Sequence, residues 1–85
     1  MTIIQGSAMT TRQSAHAELA RALNFPSYYG SNLDALWDMV STLQADAALA
    51  DAAAMLNANG AYGCKILQTL YEAAEENPHF TFQLK

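Results

Sequence analysis

The sequence predicts an α/β layer, a small two- or three-stranded parallel sheet packed with three to four helices. Two short apolar stretches of β type stand near the ends of the chain, Thr2–Gln5 and Phe80–Leu84, and in the second Phe80, Phe82 and Leu84 alternate with polar residues. Between them, apolar residues recur at helical spacing in several segments. Helical crossovers between strands make parallel pairing with right-handed connections the default. The chain has 85 residues and reads as one domain, 1–85. A chain of this length buries roughly 60% of the surface its unfolded form exposes.

Thr2–Gln5 is built on Ile3 and Ile4, with Gly6-Ser7 as its turn. Thr10 and Thr11 offer N-cap oxygens, and Thr10 with Gln13 has capping-box spacing. A helix is expected from about Gln13 to Asn24 with His16, Leu19, Ala20 and Leu23 on its core face; Phe25-Pro26 stops it. His16 reads as a packed or hydrogen-bonded core histidine. No second histidine lies at ligand spacing, so no metal site is expected.

Phe25 to Leu43 is the stretch around which the chain is organised. Gly30 is expected to take a positive φ, and Ser31 or Asn32 to cap the following helix. Leu33, Leu36, Trp37, Val40 and Leu43 then form one apolar face over 33–43. Asp34, Asp38 and Ser41 fall together on another face, with Trp37 at the border. Asp34 is favoured by the helix macrodipole, but Asp38 lies a turn further in, and like charges four apart repel by a few tenths of a kcal/mol. Nothing local requires the pair, which points to a partner outside the chain.

Beyond Leu43, Gln44 to Asn57 is rich in alanine, the residue of best helix propensity, and Asn57-Ala58-Asn59-Gly60 reads as a turn or helix stop. A helix is expected from about Cys64 to Glu76 with Leu67, Leu70, Tyr71 and Ala74 inward; Asn77-Pro78 ends it. Phe80, Phe82 and Leu84 are expected to point into the core. Cys64 is read as a packing residue, since no His or Lys pattern makes it a nucleophile.

Charge and composition narrow the function classes. Eight acidic residues stand against four basic ones, net −4. Phosphate binding needs clustered Lys and Arg, so direct contact with nucleic acid is not expected, whereas a basic protein partner fits. One cysteine allows no intrachain disulfide, the N-terminal residues do not read as a secretory signal, and no run approaches the about 18 apolar residues that span a bilayer. A cytoplasmic, monomeric protein without cofactor is expected. There is no nucleophile–base–orienter set and no glycine-rich phosphate loop, so the pattern argues against an enzyme.

Tyr28-Tyr29-Gly30 followed by the unbroken run Asn32-Leu33-Asp34-Ala35-Leu36-Trp37-Asp38 resembles the signature of the barstar family of intracellular ribonuclease inhibitors. The resemblance extends back through Ile3-Ile4-Gln5-Gly6, His16 and the Leu19/Leu23 pair and returns from about Leu67 to Leu84, while residues 44 to 63 match poorly. It implies a parallel sheet with the first strand central. It also implies a strand after the second helix, for which the corresponding residues contain no Val or Ile, so a short, poor edge strand near Ala47–Ala50 or none is expected. The partner implied is a basic, secreted ribonuclease of barnase type. Asp38 would be the plug entering its active site, Asp34 the second anchor, and Tyr28 would stack over a catalytic histidine. Gly30, Asn32 and Leu33 would supply loop contacts, Trp37 and Ser41 would contact or support the helix, and Glu76, with Glu72 one turn earlier, would match the family's acid near the end of the last helix. The alternative is a barstar-like interaction or regulatory module with a partner that is not a ribonuclease.

Overall fold

In a computed structural model that describes all 85 residues, the chain runs β1 (Thr2–Gln5), a single 3₁₀ turn (Gly6–Ala8), α1 (Arg12–Leu23), α2 (Leu33–Val40), β2 (Ala45–Ala50), α3 (Ala52–Asn59), α4 (Ala61–Glu76) and β3 (Phe80–Leu84). The three strands are parallel in the order β1-β2-β3, so Ile4 lies beside Leu49 and Leu49 beside Leu84. Ile4, Ala47, Leu49, Phe80 and Phe82 on one row of the sheet join Leu19, Leu36, Val40, Met55, Ile66 and Leu70 in a single core. No helix is long and apolar enough to cross a membrane.

The expected α/β architecture is present, but β2 corrects two expectations at once. It is a six-residue strand, and it, not β1, is central. Ala47, Ala48 and Leu49 are at most 1% exposed. A strand bonded on both edges and covered by helices needs apolar side chains, not β-branched ones in particular. Helix propensities differ among ordinary residues by less than about 0.7 kcal/mol each, and tertiary context overrides them. The alanine run is cut in two at Asp51, whose left-handed φ of 53° ends β2 and turns the remaining alanines into α3.

Gly6 explains why β1 must be followed by a glycine. A Cβ there would stand 2.3 Å from the Asp51 carbonyl oxygen and 2.6 Å from that of Ala50. The 3₁₀ turn therefore lies against the backbone leaving β2. Gly60 joins α3 to α4 with a φ of 56°.

Helix ends follow the sequence with small shifts. Thr11, not Thr10, is the N-cap of α1, and it forms a capping box with Ser14 in place of Gln13. Asn24 closes α1 in the left-handed conformation. α2 stops at Val40, short of the expected Leu43, which nevertheless packs against the core.

α4 starts three residues before Cys64 and is turned relative to expectation. Gly63, Ile66, Leu70 and Ala73 are buried, Leu67 and Ala74 are half-buried, and Tyr71 is 42% exposed. The cause is the close approach at Gly63, where a Cβ would meet Met55 Sδ at 2.9 Å, which sets the face that α4 gives to α3. Tyr71 lays its ring edge-on to Phe82 with centroids 4.9 Å apart. Cys64, next to Gly63 but off the buried stripe, is exposed, which overturns its reading as a packing residue. Leu84 is also exposed, at the end of an edge strand.

Replacing Gly6 by alanine is expected to destabilise the protein by about 2–3 kcal/mol, since the new methyl meets backbone that cannot step aside. A urea midpoint unchanged from wild type would contradict this placement.

Candidate functional site

The loop before α2 is held from behind. Phe25 N–H donates to Ala20 O (2.9 Å), Tyr29 N–H donates to Pro26 O (3.0 Å), and the rings of Phe25 and Tyr29 lie 4.7 Å apart. Tyr29 turns inward to His16, which is 1% exposed. His16 Nδ1 is 2.7 Å from the Tyr29 hydroxyl and Nε2 is 2.7 Å from the Tyr62 hydroxyl. A neutral imidazole fills both bonds, donating to one phenol and accepting from the other. This bears out His16 as a hydrogen-bonded core residue and adds what it joins, namely α1, the loop and α4.

Burial lowers the His16 pKa below its ordinary 6.5, and the Arg12 guanidinium covers the Tyr62 ring at 4.2 Å. Burial, and secondarily Tyr62, pushes the Tyr29 phenol up, so Tyr29 keeps its proton at neutral pH. Tyr28, one residue away, faces the other way and is 79% exposed.

The tip of the loop differs from expectation. Gly30 has no positive φ; Ser31 takes the left-handed turn instead, with φ 55°. Asn32 then does two jobs. Its Oδ1 accepts from Ala35 N–H (2.7 Å), capping α2, while its Nδ2 donates to Gly30 O (3.3 Å), pinning the loop to the helix start. Of the two candidate caps, Asn32 is the one used.

α2 buries Leu36 and Val40, half-buries Leu33 and Trp37, and leaves Asp34 and Asp38 exposed. Ser41 follows as its C-cap, with Oγ donating to Asp38 O (3.3 Å). Tyr28, Gly30, Asn32, Leu33, Asp34, Trp37, Asp38 and Ser41 thus lie along one loop–helix segment. Glu76 comes from elsewhere, the exposed last residue of α4. The next residue, Asn77, reaches across to the end of α2, donating to Val40 O (3.0 Å) and Leu43 O (2.8 Å).

Neither α2 acid has a cationic partner. The one ion pair in the protein is Glu18–Arg21, where Arg21 Nε and Nη2 donate to the carboxylate at 2.8 and 2.6 Å. Glu18 also accepts from Gln5 N–H (2.8 Å), and these bonds, Arg21's first, hold its carboxyl below the usual range. Glu18 and Asn77 are structural residues that sequence reasoning missed. An acid on a helix face and an asparagine before proline each have commoner explanations.

The sequence profile of the family described as Barstar (barnase inhibitor) matches residues 1–85. The chain belongs to the barstar family. Over 77 residues, 87% of this chain and 85% of the relative, it is 35% identical to YrdF of Bacillus subtilis (strain 168), named as a candidate ribonuclease inhibitor. Membership spans the alanine-rich middle, where the sequence resemblance was weakest and where β2 and α3 now stand.

The barstar-family chain should lose stability on mild acidification through His16. Its pKa is lower folded than unfolded, so the unfolded state takes up protons first and stability rises with pH. The contribution is complete above the unfolded value near 6.5 and is lost as pH falls from there through the folded value. Urea midpoints between pH 7.5 and 5 should fall in wild type and stay nearly flat over that window in His16→Gln. A parallel decline in both would assign the effect to other groups.

Proposed function

We propose that this protein inhibits a basic, barnase-like ribonuclease by laying the loop Tyr28–Asn32 and the acidic face of α2 over the enzyme's active site. The observation that carries this is the pairing of the family's unbroken motif with two carboxylates, Asp34 and Asp38, that the fold leaves exposed and without a cation. Two of the four basic side chains are engaged elsewhere, Arg21 by Glu18 and Arg12 by the Tyr62 ring.

A ribonuclease cleft is arranged for phosphate, and a carboxylate on a rigid helix can accept the same charge-assisted hydrogen bonds from Arg, Lys or His. In this reading Asp38 enters the phosphate site and Asp34 anchors beside it. Tyr28 stacks on the catalytic histidine, its neighbour Tyr29 holding the loop from behind. Gly30, Asn32 and Leu33 line the contact, Trp37 and Ser41 support the helix, and Glu76 meets a further cation at the rim. In this reading the protein acts as a monomer in the cytoplasm, as a ligand for another protein's cleft and not as an enzyme. The alternative is a barstar-like regulatory module with a partner that is not a ribonuclease, to which an altered middle segment without strand character would point. The presence of β2 and the family match through the middle of the chain support the inhibitor reading over it.

Titration calorimetry against a barnase-type ribonuclease, at low and high salt, tests the proposal. Wild type is expected to bind tightly and to weaken as salt rises. Asp38→Ala strands the enzyme's desolvated cations, a loss of about 3–5 kcal/mol for a buried pair, and should weaken binding at least a hundredfold. Binding that survives Asp38→Ala would remove Asp38 as the plug; a folded wild type that leaves every basic ribonuclease tested active would overturn the inhibitor reading.

A further inference from the structure

We propose that Asn77 is a positioning residue for partner recognition, clamping the C-terminal end of α2 to the end of α4 and so fixing Glu76 relative to Asp34 and Asp38. The inference rests on the inhibitor reading above and assigns a role to a residue outside the barstar-like motif.

Asn77 is 6% exposed and every polar group it has is used. Its backbone N–H donates to Ala73 O (2.8 Å) and its carbonyl accepts from Phe80 N–H (3.1 Å), so its main chain closes α4 and opens β3. Its side chain spends both amide hydrogens on Val40 O and Leu43 O, and Oδ1 accepts from His79 N–H (3.0 Å). The carbonyls of a helix's last turn have no partner within the helix. Here Val40 O, the last carbonyl of α2, and Leu43 O, three residues beyond it, are met by a residue 37 and 34 positions away.

α2 has eight residues, about two turns, too short to hold its direction by its own hydrogen bonds. Asn32 secures its first turn locally, and Asn77 secures its last turn against another element. Glu76 is covalently next to that clamp and exposed, and the proposed complex uses it together with Asp34 and Asp38. Charge-assisted bonds close only near 2.7–2.9 Å, so two acids from different helices can engage one rigid enzyme together only if their spacing is fixed. The Asn77 carboxamide is the non-local side-chain hydrogen-bonding link at that joint, added to the apolar packing of α2 and α4 in the core.

A double-mutant cycle tests this. Asn77→Asp keeps the shape but faces carbonyl oxygens with a carboxylate that cannot donate; Asn77→Ala, which adds no charge, carries the same comparison if Asn77→Asp does not fold. Binding to a barnase-type ribonuclease is measured at a temperature where each variant is fully folded. The Asn77 change is expected to weaken binding tenfold or more in the wild-type background and less than threefold in Glu76→Ala, because spacing matters only when both helices engage. Amide exchange in the free protein should accelerate at least tenfold in α2, with β2 amides unchanged. Equal affinity of wild type and the folded Asn77 variant, or an equal loss in both backgrounds, overturns the inference while leaving the inhibitor reading standing. If wild type binds no such enzyme, the inhibitor reading falls and the recognition role with it; unchanged α2 protection would then also remove the clamp.

Discussion

The two hydrogen bonds of the buried His16 ring tie together the parts of this protein that have least reason to stay together. α1 supplies the imidazole, the loop supplies Tyr29, and α4 supplies Tyr62. A loop without regular structure has few hydrogen bonds of its own, and its order must come from side chains that reach into the body of the fold. Tyr29 is the one that does so, packed on Phe25 and bonded to His16. Its inward commitment is what leaves Tyr28 outward. One histidine thereby decides which of two adjacent, chemically identical side chains faces solvent.

The loop–helix segment was largely readable because its signals are local. Proline at 26, an Asn cap, and an apolar stripe through Leu36 and Val40 each act within a few residues, and the structure keeps them. The miss at Gly30 is also local in kind. Glycine is the easiest residue to place at positive φ, but Ser31 bears that strain, leaving Asn32 free to cap the helix.

Non-local features were not readable. Nothing in Ala45–Ala50 distinguishes an interior strand from a helix, because what makes it a strand is β1 on one edge and β3 on the other. The rotation of α4, which exposes Tyr71 and Cys64, follows from Gly63 meeting Met55, a contact between helices that periodicity alone does not reveal. Asn77 signalled a helix stop, and its more consequential contact lies 34 to 37 residues upstream. For the candidate site, the sequence supplies the residues that the proposal uses; the arrangement that fixes them relative to one another was not legible there.

The central position of β2 bears on how the protein comes into being. Its two neighbours are residues 2–5 and 80–84, so the sheet closes only after residue 84 has been made. Contacts this distant in sequence also form slowly. During synthesis from the N-terminus, the acidic segment is made long before Tyr62, Asn77 and β3, the elements that hold it. A growing chain therefore carries the acidic segment early as a floppy, negatively charged peptide, and acquires it as a rigid surface only once β3 is made. Truncated products would keep the charge and lack the shape.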